Sequence, residues 1–270
     1  MFKGSEYVYY LMYLVGFAIM MILNIKDCGR YKIEKKNAVI YTLYTYVAGV
    51  VGAMIMGKIY TAIAHALNDN SVSRVAIFGA VMITPIILVI TFLIIKSDFR
   101  RNMDMLTPGI FIILASAKLG CFMNGCCGGF VCDFGLYNPE IGEKVFPVQI
   151  FEVLTMIAVI VLTQLYFKKT KHYVKGAAYP ITAAVYSVTR FCWEEARYYP
   201  NERLKNVALG MTFWQICCII VLVVSIIIIA VLYSEKVKQA DIAAEKKLIA
   251  EERNKAIAKN NYKKKHKKKK

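Results

Sequence analysis

The chain has 270 residues, of which 58% are hydrophobic, and it carries a formal net charge of +17. Soluble domains contain roughly 45–50% apolar residues, so this composition and its long apolar runs exclude a soluble globular domain and a disordered chain. About half of the charge, +9, lies in residues 235–270, which makes the net charge weak support for DNA binding. The composition indicates a polytopic helical membrane protein with a basic tail.

Seven apolar stretches predict membrane-spanning segments, because about 18–30 residues of helix suit a hydrocarbon core of roughly 30 Å. Backbone groups in lipid must be bonded internally, which favours helices. In chain order the stretches are Tyr7–Asn24, Ala38–Leu67, Val75–Ile95, Met105–Met123, Pro147–Phe167, Gly176–Trp193 and Leu209–Ser234. The predicted fold class is all-α, with seven transmembrane helices in a catalytic domain of residues 1–234.

The connections between these stretches alternate in charge. Residues 25–37 carry a net charge of +3, residues 124–146 carry −2, and residues 168–175 contain four Lys and no acid. Because basic connections face the cytosol, the pattern places the N-terminus outside and the C-terminus in the cytosol. The predicted location is a cell membrane, crossed several times.

The tail, residues 235–270, is rich in Lys, Ala and Glu and ends in YKKKHKKKK. It predicts a solvated or surface-lying helix followed by a disordered like-charge run. We expect it to orient the protein and to attract anionic membrane lipids. A nucleic-acid or ribosome contact is the less favoured alternative, and no specific nucleic-acid partner is expected.

Several polar side chains lie inside the apolar stretches, all near the predicted outer side. They are Lys58, His65, Lys118, Gln149, Glu152, Arg190, Glu194 and Gln215. Ionisable groups within a membrane are costly, so they are candidates for function. Lys58, Lys118 and Arg190 predict a cationic pocket for a phosphate at headgroup depth. The alternatives are snorkelling lysines, a structural Arg190–Glu194 pair at i,i+4 and polar contacts between helices.

The segment 118–129 reads KLGCFMNGCCGG, and its four glycines allow close backbone approach and a broken helix. The cysteine spacing C-x4-C-C-x4-C, formed by Cys121, Cys126, Cys127 and Cys132, has no nearby His and is a poor zinc pattern, so no metal site is predicted. A disulfide, small buried thiols and a reactive thiol beside Lys118 remain open.

Six blocks, taken together and in order, resemble the prolipoprotein diacylglyceryl transferase family over nearly the whole membrane part. The blocks are YLMYLVGF at 10–17, GKIY at 57–60, the segment 118–129, FPVQIFE at 146–152, YSVTRFCWEEAR at 186–197 and GMTFWQ at 210–215. The third block keeps Gly120, Phe122, Asn124 and Gly125 of the pattern GRIGNFINGELYG. The order of the blocks makes the resemblance specific.

The resemblance implies a bacterial membrane enzyme that moves the diacylglyceryl group of phosphatidylglycerol to the lipobox cysteine thiol of prolipoproteins. It implies no metal and no soluble cofactor. Since the leaving phosphate group gathers negative charge, cations should dominate catalysis. The expected catalytic residues are Arg190, Lys118 and Glu194. The expected substrate-binding residues are Lys58, Tyr9, Asn124, Gly125, Gln149, Glu152 and Gln215.

The chain departs from the family pattern at several positions. Phe78 and Phe146 stand where the pattern has histidines, one of which is a proposed base for the thiol. Cys121 and Cys126 replace an Asn and a Glu, and Lys58 and Lys118 replace arginines, which loses bidentate phosphate geometry. A missing general base costs on the order of 10²–10⁴ in rate.

Three residues could replace the missing base: Glu152, Glu194 and Cys126. The departures also support an alternative function, that of a diverged or inactive relative that binds phospholipid or modifies another acceptor. An unrelated role such as transport is a third alternative. A transporter is expected to show internal repeats and polar groups near the membrane midplane, and neither is evident in the sequence.

Overall fold

The computed structural model describes residues 6–69, 76–138, 142–169, 174–199 and 201–234, and also Ile242, Ala243, Lys246 and Ala250. The predicted basic tail therefore lies almost entirely outside the described residues. In the described part the helices are α1 (Glu6–Asp27), α2 (Lys35–Ala66), α3 (Phe78–Ile94), α4 (Phe99–Asn124), α5 (Val148–Lys169), α6 (Ala178–Glu195), α7 (Glu202–Lys205) and α8 (Phe213–Leu232). A 3₁₀ turn, Cys28–Tyr31, follows α1.

Each of the seven predicted stretches overlaps one of the long helices. The largest difference is at α4, which begins at Phe99 rather than Met105. Asp98 precedes this helix, and its side chain accepts a hydrogen bond from the Arg101 backbone nitrogen at 3.4 Å. Such a bond satisfies one of the free N–H groups at a helix start, so the helix extends into a polar segment that hydrophobicity alone excludes.

The prediction of a polytopic helical membrane protein is confirmed. Among the described residues, five helices are long and apolar enough to cross a membrane: α1, α2, α4, α5 and α8. The third predicted span, α3, is a shorter apolar helix of 17 residues. The sixth, α6, carries Arg190, Glu194 and Glu195 in its last turns. Seven spans and their orientation therefore stay predictions.

The prediction of an all-α fold is wrong for the segment between α4 and α5. Strands β1 (Val131–Asn138) and β2 (Glu143–Val145) pair antiparallel there, with Tyr137 opposite Lys144. The Asn138 side chain is buried and donates to the Gly125 carbonyl at 2.8 Å, which ties the hairpin to the end of α4. The prediction rested on hydropathy and loop charge, and neither property gives information about the pairing of strands.

Helix α4 lies at the centre of the bundle. Its apolar window is 72% buried, compared with 22–39% for the other four candidate spans. It packs mainly against α1 and α5, while α2 packs against α3 and α6 against α8. Small residues allow the close contacts: a Cβ on Gly79 of α3 would lie 2.6 Å from the Gly52 carbonyl oxygen of α2. Such approaches are typical of helix packing in membranes.

The start of α6 is fixed against the start of α4. Buried Asp104 accepts hydrogen bonds from the backbone nitrogens of Gly176 and Ala178, at 2.6 and 2.9 Å. Arg100 donates to the Lys175 carbonyl at 2.9 Å. These contacts set the relative height of α4 and α6, and therefore the meeting of their opposite, C-terminal ends.

Candidate functional site

Charged side chains from three helices meet at the C-terminal ends of α4 and α6 and the N-terminal end of α5. Lys118 comes from α4, Glu152 from α5, and Arg190 and Glu194 from α6, while Arg197 follows α6. We call these five residues the charge cluster. All of them except Arg197 are at most 7% exposed, and the Arg197 side chain is 10% exposed.

Glu152 is the centre of the cluster because it contacts all three cations. Lys118 Nζ lies 3.0 Å from Glu152 Oε2, and Arg190 Nη1 lies 3.3 Å from Oε1. Arg197 Nη2 donates to both carboxylate oxygens at 3.0 Å. Three cations favour the ionised form of this carboxylate, which makes Glu152 a weak general base.

Glu194 is the second carboxylate of the cluster. It pairs with Arg190 one turn earlier on α6 and with Arg197 Nε at 3.2 Å. It also accepts hydrogen bonds from the hydroxyls of Tyr199 and Thr212, the latter at 3.4 Å. Glu194 therefore holds both arginines in place.

The cluster contains one positive charge more than it has negative charges. Arg190 Nε is buried and has no hydrogen-bond partner among the described residues, whereas Arg190 Nη1 and Arg197 Nε form ion pairs with the two carboxylates. Buried donors of this kind normally have partners. An anion such as a phosphate would supply the missing acceptor.

Two groups just after α6 have pKa values shifted by the cluster. Burial lowers the pKa of Arg197, but Glu152 and Glu194 outweigh it and hold that pKa well above its ordinary value. Burial and then Glu194 raise the pKa of Tyr199. Arg197 therefore stays charged, and Tyr199 stays a hydrogen-bond donor.

Other predicted site residues lie beside the cluster. Asn124 is the last residue of α4, and Gly125 caps the helix with a left-handed φ of 79°. Gln149 is buried and donates to the Cys126 carbonyl at 2.7 Å, while its Oε1 has no hydrogen-bond partner among the described residues. Gln215 forms a capping box with Thr212 at the start of α8 and also donates to Glu195.

The structure does not bring two predicted residues into the cluster. Lys58 is exposed on α2 and takes part in none of the ion pairs among the described residues. Tyr9 lies in α1, but its side chain is outside the described part. Arg197 shows the opposite case: the sequence analysis did not select it, although it closes the block YSVTRFCWEEAR and contacts both carboxylates.

Aromatic packing occupies the two positions where the family pattern has histidines. Phe78 is buried, with its ring centroid 5.9 Å from Tyr186 and 6.1 Å from Trp214. Phe146 stacks between Phe130 and Phe151 at 5.3 and 4.9 Å. Both rings fill space that an imidazole would otherwise occupy.

An apolar cleft of about 630 Å³ lies between α3, α4, α6 and α8. Its walls are almost wholly aliphatic and aromatic, and they include Val81, Pro85, Tyr179, Val221 and Ile228. The Tyr179 hydroxyl donates a hydrogen bond to the Val81 carbonyl, so this polar group of the cleft wall has its partner within the protein. The cleft has the chemistry of an acyl-chain site.

All eight cysteines are free thiols, so the structure contains none of the disulfides that the sequence left open. Cys121, Cys126 and Cys127 nevertheless lie together, with their sulfur atoms within 4.8 Å of one another. Cys132 lies apart from them on β1.

Comparison with known proteins identifies the family of the chain. The family model "Prolipoprotein diacylglyceryl transferase" matches residues 4–231. A phosphatidylglycerol–prolipoprotein diacylglyceryl transferase of Dehalococcoides mccartyi is 27% identical over 135 residues, which are 46% of this chain and 52% of that protein. Phosphatidylglycerol–prolipoprotein diacylglyceryl transferase 2 of Clostridium perfringens is 25% identical over 173 residues, 59% of this chain and 66% of the relative.

The chain thus aligns with about half to two thirds of the length of these relatives. Because the family model extends over most of its length, the chain belongs to the prolipoprotein diacylglyceryl transferase family.

Proposed function

We propose that this protein transfers the diacylglyceryl group of phosphatidylglycerol to the lipobox cysteine thiol of prolipoproteins, at the outer side of a bacterial cell membrane. One observation carries the proposal: a buried cluster with excess positive charge and one guanidinium nitrogen without a hydrogen-bond partner, Arg190 Nε, lies where the ends of three helices meet. The substrate phosphate is the anion that this cluster suits. Family membership and the names of the relatives support the same reaction.

The reaction makes one bond and breaks one bond. The lipobox sulfur attacks the glycerol carbon that bears the phosphate, so a sulfur–carbon bond forms while the carbon–oxygen bond to phosphate breaks. The electron pair of that bond goes to the phosphate oxygen, and glycerol phosphate leaves. The thiol loses its proton to solvent or to a base, and a thiol of pKa about 8.5 is already a few per cent ionised at neutral pH.

We assign the catalytic roles from the contacts of the cluster. Arg190 and Lys118 neutralise charge on the leaving phosphate, the effect that usually contributes most to such reactions. Glu194 positions Arg190. We add Arg197 to the catalytic cations because it contacts Glu152. Glu152 organises all three cations, so its role is positioning more than direct substrate binding.

The remaining substrate contacts follow from position. Gln149 offers an unused buried oxygen near the cluster, and Asn124 and Gly125 form the adjoining helix end. The apolar cleft would hold acyl chains. Lys58 and Tyr9 stay proposed substrate contacts on the family pattern alone, and Gln215 would act through the cap of α8.

The experiment measures transfer of label from phosphatidylglycerol to a lipobox peptide in proteoliposomes. Arg190→Ala should lower the rate on the order of 10²–10³-fold, since it removes a preorganised donor. Arg203→Ala is the matched control, because Arg203 is exposed in α7 and outside the cluster. Wild-type transfer by Arg190→Ala would refute the proposed role of the cluster.

A second function is favoured by one observation. Phe78 replaces the family histidine inside a packed aromatic group, and His65, the one histidine among the described residues, is exposed on α2. A relative that lacks the base could bind phospholipid without transferring it, or could modify another acceptor. Saturable binding of phosphatidylglycerol without label transfer would support this function against the first.

A further inference from the structure

Three cysteines form a compact group at the end of α4. The Sγ atoms of Cys121, Cys126 and Cys127 all lie within 4.8 Å of one another, and each sulfur belongs to a free thiol. Cys121 is buried in the last turn of the helix, Cys126 is half-buried and Cys127 is exposed at the rim. Among the described residues, this is the one group of three or more His, Cys, Asp or Glu side chains with ligand atoms in such an arrangement.

The backbone holds the three sulfurs in place. Gly125 turns the chain with a φ of 79°, which lets the Cys126 nitrogen bond back to the Cys121 carbonyl at 3.1 Å. Cys127 has a φ of 61°, a left-handed conformation that is disfavoured for a non-glycine residue. Gln149 fixes the turn through its 2.7 Å bond to the Cys126 carbonyl. A conformation that is disfavoured yet firmly held often has a functional purpose.

We propose that Cys121, Cys126 and Cys127 bind one soft metal ion as thiolates, with Cu(I) the best fit. A metal–sulfur distance of about 2.3 Å places three sulfurs in a plane roughly 4.0 Å apart, so the observed separations need to contract by less than about 1 Å. Soft thiolates suit Cu(I) and zinc, but structural zinc almost always takes four ligands, whereas this group offers three, which favours Cu(I). Binding forms three sulfur–copper bonds and releases three thiol protons to solvent, with no change of oxidation state.

Nearby charge supports thiolates at this position. Arg197 and Lys118 of the charge cluster interact electrostatically with Cys127. The two cations would also offset the negative charge of a three-thiolate complex. The metal site would therefore share Lys118 and Arg197 with the charge cluster.

The proposed site comes from residues in which this chain departs from the family pattern. Cys121 and Cys126 stand where that pattern has Asn and Glu, so the three-cysteine group is not part of that pattern. It also revises the sequence-based prediction of no metal, which rested on the absence of a nearby His. Sequence spacing alone does not show that a helix end and a left-handed turn bring three sulfurs together.

The test measures Cu(I) retention by the reduced, full-length chain in detergent, in competition with a coloured Cu(I) chelator. We expect one Cu(I) per chain, with three sulfurs around copper by X-ray absorption. Cys126→Ser should weaken retention at least a hundredfold. Cys192→Ser is the matched control, because Cys192 is exposed on α6 away from the group, and it should retain copper as the wild type does.

A variant closer to the family pattern keeps the test valid if Cys126→Ser fails to fold. Cys126→Glu restores the residue type of that pattern and should keep the wild-type unfolding temperature while losing copper. Equal retention by wild type and Cys126→Glu would overturn the proposal. A disulfide among the three cysteines in chain isolated without reductant would also overturn it.

Discussion

Replacing Glu152 by Gln tests the organisation of the charge cluster directly. The substitution keeps the size of the side chain and removes the carboxylate that contacts Lys118, Arg190 and Arg197. Arg190 and Arg197 would then share Glu194, and Lys118 would lose its ion-pair partner. The cations stay buried after the substitution, so they do not regain hydration by water. Their desolvation cost is therefore no longer offset by the ion pairs with Glu152.

The magnitude follows from the distances. At 3.0 Å and an effective dielectric constant of about 20, one ion pair has a Coulomb energy of roughly 5 kcal/mol. Breaking a buried pair from one side costs about 3–5 kcal/mol, and since three cations share this carboxylate we expect the upper part of that range. At roughly 2–4 °C per kcal/mol, the unfolding temperature should fall by about 10 °C.

The assay is thermal unfolding in detergent, followed by tryptophan fluorescence. The chain has 2 Trp, and both report on this region: Trp193 is on α6, and Trp214 begins α8. Glu143→Gln is the matched control because Glu143 is exposed on β2, and it should shift the unfolding temperature by at most about 1 °C. In the double variant Glu152→Gln/Lys118→Met, part of the loss should be recovered, by about 1–2 kcal/mol.

An unfolding temperature for Glu152→Gln equal to that of Glu143→Gln would refute the reasoning. It would mean that the three cations do not depend on Glu152 for their burial. Additive losses in the double variant would refute the direct pairing of Lys118 with Glu152.

Three further predictions concern other parts of the structure. Asp104→Ala should destabilise the protein by about 2–4 kcal/mol in the same unfolding assay, because two backbone donors at the start of α6 lose a buried acceptor; an unchanged unfolding temperature would contradict this. Phe78→His should raise the transfer rate at least tenfold while lowering the unfolding temperature, since a general base contributes about 10²–10⁴; an unchanged rate would show that thiol deprotonation is not limiting. Burial raises the pKa of Asp98, but its hydrogen bond to Lys175 and that positive charge outweigh burial, so the pKa lies below its ordinary 3.8. The pair therefore stabilises the protein above that pH, and this stabilisation is lost as the pH falls below the lowered pKa. The small difference in unfolding temperature between wild type and Asp98→Asn should then disappear on acidification, and a difference that persists would contradict the pairing.

The sequence predicted the cluster in part. Arg190 and Glu194 are four residues apart on one helix, so their pairing follows from helical periodicity. Depth along the spans brought Lys118 and Glu152 to the same end of the bundle. The same argument included Lys58, which the structure leaves exposed, because depth says nothing about the direction in which a side chain leaves its helix.

Apolar length and block order, read from the sequence alone, determined that the chain is a helical membrane protein, where its long helices lie and which family it resembles. These features are local, since they depend on residues near one another in the chain. The tertiary structure alone decided which carboxylate three cations share, that Arg197 joins them, that a hairpin closes on α4 and that three sulfurs meet. Each of these depends on the rotation and contact of elements distant in sequence, which hydrophobic periodicity does not specify.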